Sequence, residues 1–319
     1  MKRNKFFAQA ALQAAPARRA AGVLAAVLIF GLALAGCKDG SGDGTGPTYE
    51  LVDSANPDIK VKFGVSTASD AFASLHELIS TPKPGDDFTL IIALGDYIDL
   101  PALTIGGTTI DDRALGTPGT ASYHDRLLRL IVVGINSFQR DGGLANNPGA
   151  PGHVVFQFRN VPVTHNMEAT DINTNGYAGS AMKAYLRDEF LPDLKNAAGL
   201  TDAMLWAPTR KVSKGGYGPE LGVDDVRDTL WLPTVWEIYN AQGASSAAYE
   251  TSANQARLEY YTDNPSHRKY DTANIARSYW LASPSSGSAA EFAGVNVIGN
   301  SSYSIASVVS GCAPAFCVK

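Results

Sequence analysis

The sequence contains few of the side chains that carry out covalent or acid–base chemistry. Its 319 residues include 3 cysteines and 5 histidines, and charged residues make up 18% of the chain. The histidines lack metal-site spacing, and the chain has no G-x-S-x-G elbow, no P-loop and no dinucleotide fingerprint. These absences exclude the enzyme classes that such motifs mark. We therefore predict no catalytic residue, no cofactor, no metal site and no enzymatic activity.

Positive charge is scarce outside the N-terminus. The first 36 residues contain five of the 26 basic residues and no acidic residue. The remaining 21 basic residues stand against 31 acidic ones, a net charge of −10. Binding to nucleic acid depends on neutralising phosphates, so we expect no nucleic-acid partner. The chain is 45% hydrophobic, which is enough for a folded core.

The N-terminus holds the one apolar run long enough to enter a bilayer. Residues 20–36 carry no charge and follow a basic stretch, as in a signal peptide. The run ends in Leu34-Ala35-Gly36-Cys37, which resembles the lipobox of bacterial lipoproteins and implies lipidation of Cys37. The alternative is an uncleaved membrane helix, for which about 17 residues is the lower limit.

We accordingly expect residues 1–36 to be a signal peptide and residues 37–50 a lipidated, flexible tether rich in Gly, Ser and Asp. The partner at this end is a membrane, reached through the lipid anchor. The predicted location is the bacterial cell envelope, at the outer membrane surface or on the periplasmic face.

The rest of the chain predicts an α+β protein with two parts. Residues 51–120 read as a small α/β lead-in module and residues 125–319 as the main domain. In the lead-in module we predict strands at 59–65, 88–93 and 97–105 and a helix at 69–79. In the main domain we predict strands at 127–135, 154–158 and 230–232 and a helix at 180–191 that Ser180 caps.

Glu237 is the one acidic residue with a clear local signal. Thr234-Val235-Trp236-Glu237 fits a capping box, in which the glutamate reaches back to the backbone at the threonine. We therefore assign Glu237 a structural role.

Residues 285–310, here called the serine-rich segment, have an unusual composition. They are dominated by Ser, Ala, Gly, Asn and Val, with no Lys, Arg, His or Asp and one acidic residue, Glu291. Two stretches with a fixed-looking sequence enclose them, Tyr279–Pro284 before and Gly311–Cys317 after; we call these two stretches the frame. Small, adaptable side chains suit binding, whereas proton transfer needs titratable groups. The segment therefore predicts a binding surface.

Within the serine-rich segment, Gly299-Asn300 is a two-residue turn signal. It predicts a hairpin of residues 291–298 and 301–309, in which Asn296 lies opposite Tyr303 and Gly294 opposite Ile305. We expect the ligand contacts to be solvent-facing on one continuous surface and to comprise Ser286, Ser288, Ala289, Gly294, Asn296, Asn300, Ser302, Tyr303 and Ser307. We expect Trp280, Phe292, Pro314 and Phe316 to be buried.

Two further features have alternative interpretations. Asp171-x-Asn173-x-Asn175-Gly176 imitates the start of a calcium loop, but Met182 occupies the position of the bidentate carboxylate, which favours an Asx-rich turn. Cys312 and Cys317 would form a disulfide only if Pro314 bends the chain, since a bridge needs Cα atoms roughly 4.4–6.8 Å apart. Otherwise both thiols fill a buried strand.

Four motifs follow one another in the second part of the chain. They are NGYxxSxMxxYLxxxFL at 175–191, DxLWLPxxxE at 228–237, YWLxSP at 279–284 and GxAPAF at 311–316. Together they resemble an uncharacterised bacterial domain family often attached to lipobox signals. That family is similar to the C-type-lectin-like fold of formylglycine-generating enzymes and of the variable proteins of diversity-generating retroelements.

The resemblance covers about residues 125–319 and implies a C-type-lectin-like fold in that part of the chain. A serine-rich stretch inside a fixed frame is most similar to the variable lipoproteins, and implies that the segment binds an unknown protein or surface ligand. Two alternatives stay open: an exported enzyme related to the formylglycine-generating fold, and a structural envelope lipoprotein.

Overall fold

The computed structural model describes residues 59–81, 87–115, 126–138, 152–217, 222–240, 250 and 257–319, all within one compact unit of residues 45–319. The predictions for residues 1–50, including lipidation of Cys37, lie outside these described residues. None of the described helices combines the length and the apolar content that a membrane crossing needs.

The described residues form an α+β fold, as predicted, with short helices and mainly antiparallel strands. The α-helices are α1 (Ile59–Lys62), α2 (Ala68–Ser80), α3 (Phe88–Ile91), α4 (Ala181–Tyr185), α5 (Leu191–Ala198), α6 (Val235–Tyr239) and α7 (Tyr260–Asp263). A π-helical turn, Leu186–Phe190, joins α4 to α5, and a 3₁₀ turn, Tyr177–Gly179, precedes α4.

A six-stranded antiparallel sheet occupies the centre of the molecule. Its strands are β1 (Tyr97–Asp99), β4 (Arg129–Ile135), β5 (Val154–Phe158), β7 (Leu205–Trp206), β10 (Leu230–Trp231) and β17 (Ala315–Val318). The order is β1-β4-β5-β17-β10, and β7 pairs with the end of β17. The predicted strands at 127–135, 154–158 and 230–232 are therefore confirmed.

A five-stranded sheet carries the serine-rich segment. Its strands are β6 (Val163–His165), β13 (Tyr279–Pro284), β14 (Glu291–Val295), β15 (Ser301–Ile305) and β16 (Ser310–Cys312), in the order β15-β14-β13-β16-β6. Strand β15 is thus at one edge. The β13–β16 pair is parallel and the other pairs are antiparallel.

Three two-stranded hairpins complete the described strands. They are β2 (Ala102–Ile105) with β3 (Thr108–Asp111), β8 (Thr209–Ser213) with β9 (Val223–Arg227), and β11 (Lys269–Tyr270) with β12 (Ala276–Arg277).

The lead-in segment packs into the same core as the rest of the chain. Strand β1 pairs with β4, and Phe72 of α2 meets Phe156 of β5 edge-on, with ring centroids 5.2 Å apart. Phe156 in turn stacks on Phe316 of β17 at 5.6 Å. Apolar side chains of the described lead-in residues and of the described main domain therefore share one interior.

Two predicted strands of the lead-in segment are helices instead. Ile59 in α1 and Phe63 just after it lie one turn apart and are both buried, so the helical period governs that stretch. In α3, the Asp87 carboxylate accepts hydrogen bonds from the backbone N–H and the hydroxyl of Thr89, and this cap starts a helical turn. The strand predicted at 97–105 is divided by Pro101 into β1 and β2.

The helix predicted at 180–191 is longer than expected. Ser180 Oγ accepts a hydrogen bond from Lys183 N at 3.1 Å, which confirms the cap. The helix then continues past Pro192 to Ala198. Its turn widens just before the proline, because Leu191 N–H bonds to the carbonyl of Leu186, five residues back. Gly199 ends the helix at a left-handed φ of +67°.

Candidate ligand-binding surface

The frame is buried scaffold, as predicted. Every residue of Tyr279–Pro284 and Gly311–Cys317 is buried, and so is Phe292. The Trp280 side chain is buried and its orientation is also fixed, because its indole N–H donates to the carbonyl of His165 at 2.9 Å. The serine-rich segment therefore begins and ends at rigid positions.

The segment forms a hairpin, but not in the predicted register. Tyr303 lies opposite Ala293 rather than Asn296, and Gly294 lies opposite Ser302 rather than Ile305. An offset of three residues is odd, so side chains of the two strands that were predicted to share a face lie on opposite faces.

Asn296 explains the difference in register. Its side-chain oxygen accepts hydrogen bonds from Ile298 N at 3.1 Å and from Asn300 N at 3.0 Å. Its backbone N–H donates to the carbonyl of Asn300 at 2.8 Å. The side chain thus closes a longer loop around Gly299, and the two-residue turn at 299–300 does not form.

The predicted contact residues differ in exposure. Ala289 and Asn300 are exposed, whereas the half-buried positions are Ser286, Ser288, Asn296, Ser302, Tyr303 and Ser307. Gly294 is buried, so the expectation that it is solvent-facing is wrong. A Cβ atom there would lie 2.8 Å from the carbonyl oxygen of Tyr279, so this glycine allows β13 and β14 to approach each other.

The predicted contacts also do not form one continuous face. Ser302 and Tyr303 are neighbours in β15, and successive strand residues point to opposite faces of a sheet. The Tyr303 ring packs against the core. The solvent-facing part of the surface therefore consists mainly of the loop at 286–289, the hairpin tip at 297–300 and the two end residues of β15, Ser301 and Ile305.

Exposed aliphatic side chains are the feature that the prediction missed. Their exposures lie between 41% and 58%, at Val297, Ile298, Ile305, Val308 and Val309. Large apolar side chains outside the core mark interaction surfaces when they gather in one part of a protein. The sequence signal was the number of valines and isoleucines, which exceeds what one short hairpin can bury.

Asn173 holds the first part of the segment through main-chain atoms. Its side-chain nitrogen lies 3.1 Å from the carbonyl oxygen of Ser285, 2.7 Å from that of Ser288 and 2.7 Å from that of Glu291. Its backbone N–H donates to Ala289 O at 2.7 Å. We call this set of contacts the Asn173 clamp.

The remaining oxygen of Asn173 is also engaged. Asn173 Oδ1 accepts a hydrogen bond from Gly216 N at 2.8 Å, and the side chain is 1% exposed. Because this oxygen is bonded to an N–H group, the geometry favours the turn interpretation of residues 171–176 over a calcium loop. Among the described residues, no group of three or more His, Cys, Asp or Glu is placed to hold a metal ion.

Two further contacts hold the segment by its backbone. The carbonyl of Ala306 accepts hydrogen bonds from Met167 N at 2.9 Å and Glu168 N at 3.1 Å. The Tyr239 hydroxyl donates to the carbonyl of Gly299 at the hairpin tip, at 3.0 Å. These donors and Asn173 all lie outside residues 285–310. The path of the segment therefore depends partly on residues outside it, and these bond to its main chain rather than to its side chains.

Cys312 and Cys317 are free thiols buried in two different sheets. Burial raises the pKa of both thiols. Cys312 Sγ lies 3.6 Å from Met182 Sδ, a packing contact. The two cysteines are buried fillers, as predicted, but they lie in two strands rather than in one.

Glu237 forms the predicted capping box and a buried ion pair that the sequence did not indicate. It accepts hydrogen bonds from Thr234 N and, through both carboxylate oxygens at 2.8 Å, from Arg210. Arg210 also donates to the carbonyl of Leu232 and lies over the Trp231 ring. The structural role assigned to Glu237 is confirmed.

The geometry thus defines an α+β domain with one backbone-anchored, largely uncharged surface segment. A family model for a domain of unknown function, DUF6273, matches residues 152–319, more than half of the sequence. The chain belongs to this family. The matched region begins just before β5 and includes the Asn173 clamp, the frame and the serine-rich segment. No curated protein and no solved structure matches the chain.

Proposed function

We propose that this protein is an exported, lipid-anchored binding protein of the bacterial cell envelope. A C-type-lectin-like domain presents residues 285–310 to a protein or another surface ligand. The lectin-like assignment is supported by the α+β architecture together with the order of the four motifs between residues 175 and 316. The resemblance to variable proteins of diversity-generating retroelements extends the proposal to a segment whose outward side chains are diversified.

The observation that carries the proposal is the way the segment is held. The donors from Asn173, Met167, Glu168 and Tyr239 all bond to main-chain carbonyls within residues 285–310. Every residue type supplies such a carbonyl. Outward side chains can therefore change without loss of these bonds, as a binding surface of variable specificity requires.

The chemistry of the segment supports binding rather than catalysis. Its one titratable acid, Glu291, is accompanied by no basic residue or histidine, and general acid–base catalysis needs such groups in position. The two cysteines of the enzyme alternative are buried with raised thiol pKa values, which does not favour a nucleophile.

A library experiment tests the binding role. Ser286, Ser288, Ala289, Asn300 and Ser307 are randomised together, and displayed variants are selected against lysozyme as a protein probe. A matched library randomises Phe292, Ala293 and Val295, which are buried. We expect the first library to keep the fold and to yield binders, and the second to lose the fold. Equal loss of folding in both libraries would contradict the proposal.

The anchor is tested separately. Since stable anchoring needs more than one acyl chain, Cys37→Ala should abolish labelling by radioactive palmitate and leave an unprocessed precursor or release the protein from membranes. A variant that is processed and retained in the membrane fraction like the wild type would refute the lipoprotein assignment.

A further inference from the structure

Glu250 is a buried carboxyl that takes no part in the proposed binding surface. It is 0% exposed. Its Oε1 atom accepts the N–H of Ser213 at 3.1 Å, and the Ser283 hydroxyl lies 2.9 Å from Oε1 and 2.7 Å from Oε2. Ser283 Oγ also accepts the N–H of Val235 at 2.9 Å. One carboxyl group thus connects β8, β13 and the start of α6.

No positive charge offsets an ionised Glu250 among the described residues. Arg210, on the same strand as Ser213, donates two hydrogen bonds to the carboxylate of Glu237. Glu237 itself carries a like charge, and neither 241–249 nor 251–256 contains a charged residue. Burial raises the pKa of Glu250 to about 7; the charge of Glu237 adds to this, and the bonds from Ser283 and Ser213 oppose it.

The neutral carboxyl fits the same geometry without an unpaired charge. With the proton on Oε2, Oε1 still accepts the N–H of Ser213 and the Ser283 hydroxyl. An ionised group can only accept, and it lies in an interior where an uncompensated charge is costly. The arrangement of β8 and β13 around Glu250 is therefore most stable when the carboxyl carries its proton.

Both strands lead directly to the Asn173 clamp. Three residues beyond Ser213, Gly216 N donates to Asn173 Oδ1 at 2.8 Å. Two residues beyond Ser283, the carbonyl of Ser285 accepts from Asn173, and Ser285 N donates to Glu291 O at 2.8 Å. A shift of either strand at Glu250 therefore moves an atom of the clamp.

We propose that protonation of Glu250 tightens the Asn173 clamp, so that residues 285–291 are held more firmly in mildly acidic than in mildly alkaline solution. The consequence for ligand binding rests on the proposed role of the serine-rich segment, whereas the effect on the clamp does not. The folded state binds the proton more tightly than an opened state does, so the contribution of Glu250 falls as pH rises from its ordinary pKa of 4.5 towards 7.

Hydrogen–deuterium exchange of the full chain, without any ligand, tests the proposal. Exchange is expressed as protection relative to an unstructured peptide at the same pH, which removes the intrinsic pH dependence. Between pH 5.5 and 8.5 the protection of the Ser285 and Asn173 amides should fall by up to about 30-fold, the limit for a carboxyl that regains its ordinary pKa on opening. The amides of Phe316 and Cys317 in β17 serve as the internal reference.

Two variants separate Glu250 from other carboxyls. Glu250→Gln keeps the shape and removes the titration, so the pH dependence at Ser285 should disappear. Glu259→Gln, a half-buried carboxyl bonded to Ser137, should keep it. A wild type without pH dependence, or a Glu250→Gln variant that retains it, would overturn the proposal.

A third variant applies if Glu250→Gln fails to fold. Ser283→Ala removes a hydrogen bond that favours the ionised form, so the midpoint of the pH dependence should move to higher pH. An unmoved midpoint would count against the clamp mechanism. If the exchange results hold and the library selection fails, only the binding role is rejected.

Discussion

The two large sheets are held together in different ways. The six-stranded sheet depends on side-chain packing: Phe156 and Phe316 of its strands and Phe72 of α2 pack ring against ring, and each position constrains the next. The outer part of the five-stranded sheet depends on donors from elsewhere in the chain, which bond to its main-chain carbonyls. A region held in the second way can change its surface residues and keep its path.

The largest expected effect is in the six-stranded sheet. Phe316→Ala should lower the free energy of unfolding by about 3–5 kcal/mol, because it opens a cavity among stacked rings. The matched change is Tyr303→Ala, an aromatic residue on β15 that is half-buried, and it should cost about 1 kcal/mol. Chemical denaturation measures both. Similar losses of stability for the two variants would show that the two sheets do not differ in how much they depend on side-chain packing.

Asn173→Ala should have the next largest effect. It leaves several buried carbonyls without their donor, and we expect a loss of about 2–3 kcal/mol. Hydrogen exchange should show the loss at residues 285–291, with β17 still protected. Asn173→Asp keeps the acceptor for Gly216 N but lacks the side-chain donor, so it should loosen the same amides. Uniform loss of protection across both sheets would show that the clamp is not local.

Gly294→Ala tests the close approach of β13 and β14. The added methyl group would lie 2.8 Å from the Tyr279 carbonyl, so the strands must shift, at about 1–3 kcal/mol. Ser302→Ala, on the same rung at the sheet edge, should cost about 0.5 kcal/mol or less. Thermal melts compare the two. A neutral Gly294→Ala would show that the position tolerates side chains and belongs to the surface after all.

The smallest effect is expected for the outward residues of the segment. Replacing Ser286, Ser288, Ala289 and Asn300 by other polar residues should change the free energy of unfolding by about 0.5 kcal/mol or less per site. Additivity can be checked by making the changes singly and together. A combined variant that loses cooperative unfolding would show that these side chains determine the fold.

Local sequence signals correctly predicted the elements that are set by a hydrophobic repeat or by a capping residue. Strand β5, helix α2, the Ser180 cap and the Thr234–Glu237 box follow from neighbouring residues. Helices α1 and α3 were missed because four-residue elements offer too little periodicity to distinguish a turn of helix from a strand.

Contacts between distant residues account for the rest. Asn173 lies more than 100 positions before the carbonyls that it holds, and Arg210 lies 27 positions before Glu237. Nothing in the local sequence marks either pair. The hairpin register failed for a nearer reason, since one asparagine side chain closed a loop that the Gly-Asn signal described as a two-residue turn.

The position of β17 affects the order of events during folding. This strand comes after the other described strands, yet it lies between β5 and β10 and also pairs with β7. Until residues 315–318 have been synthesised, these three strands have no common neighbour and Phe156 has no ring to stack on. Sheets that depend on such distant pairings assemble slowly. The six-stranded sheet should therefore be completed only after residues 315–318 have been synthesised.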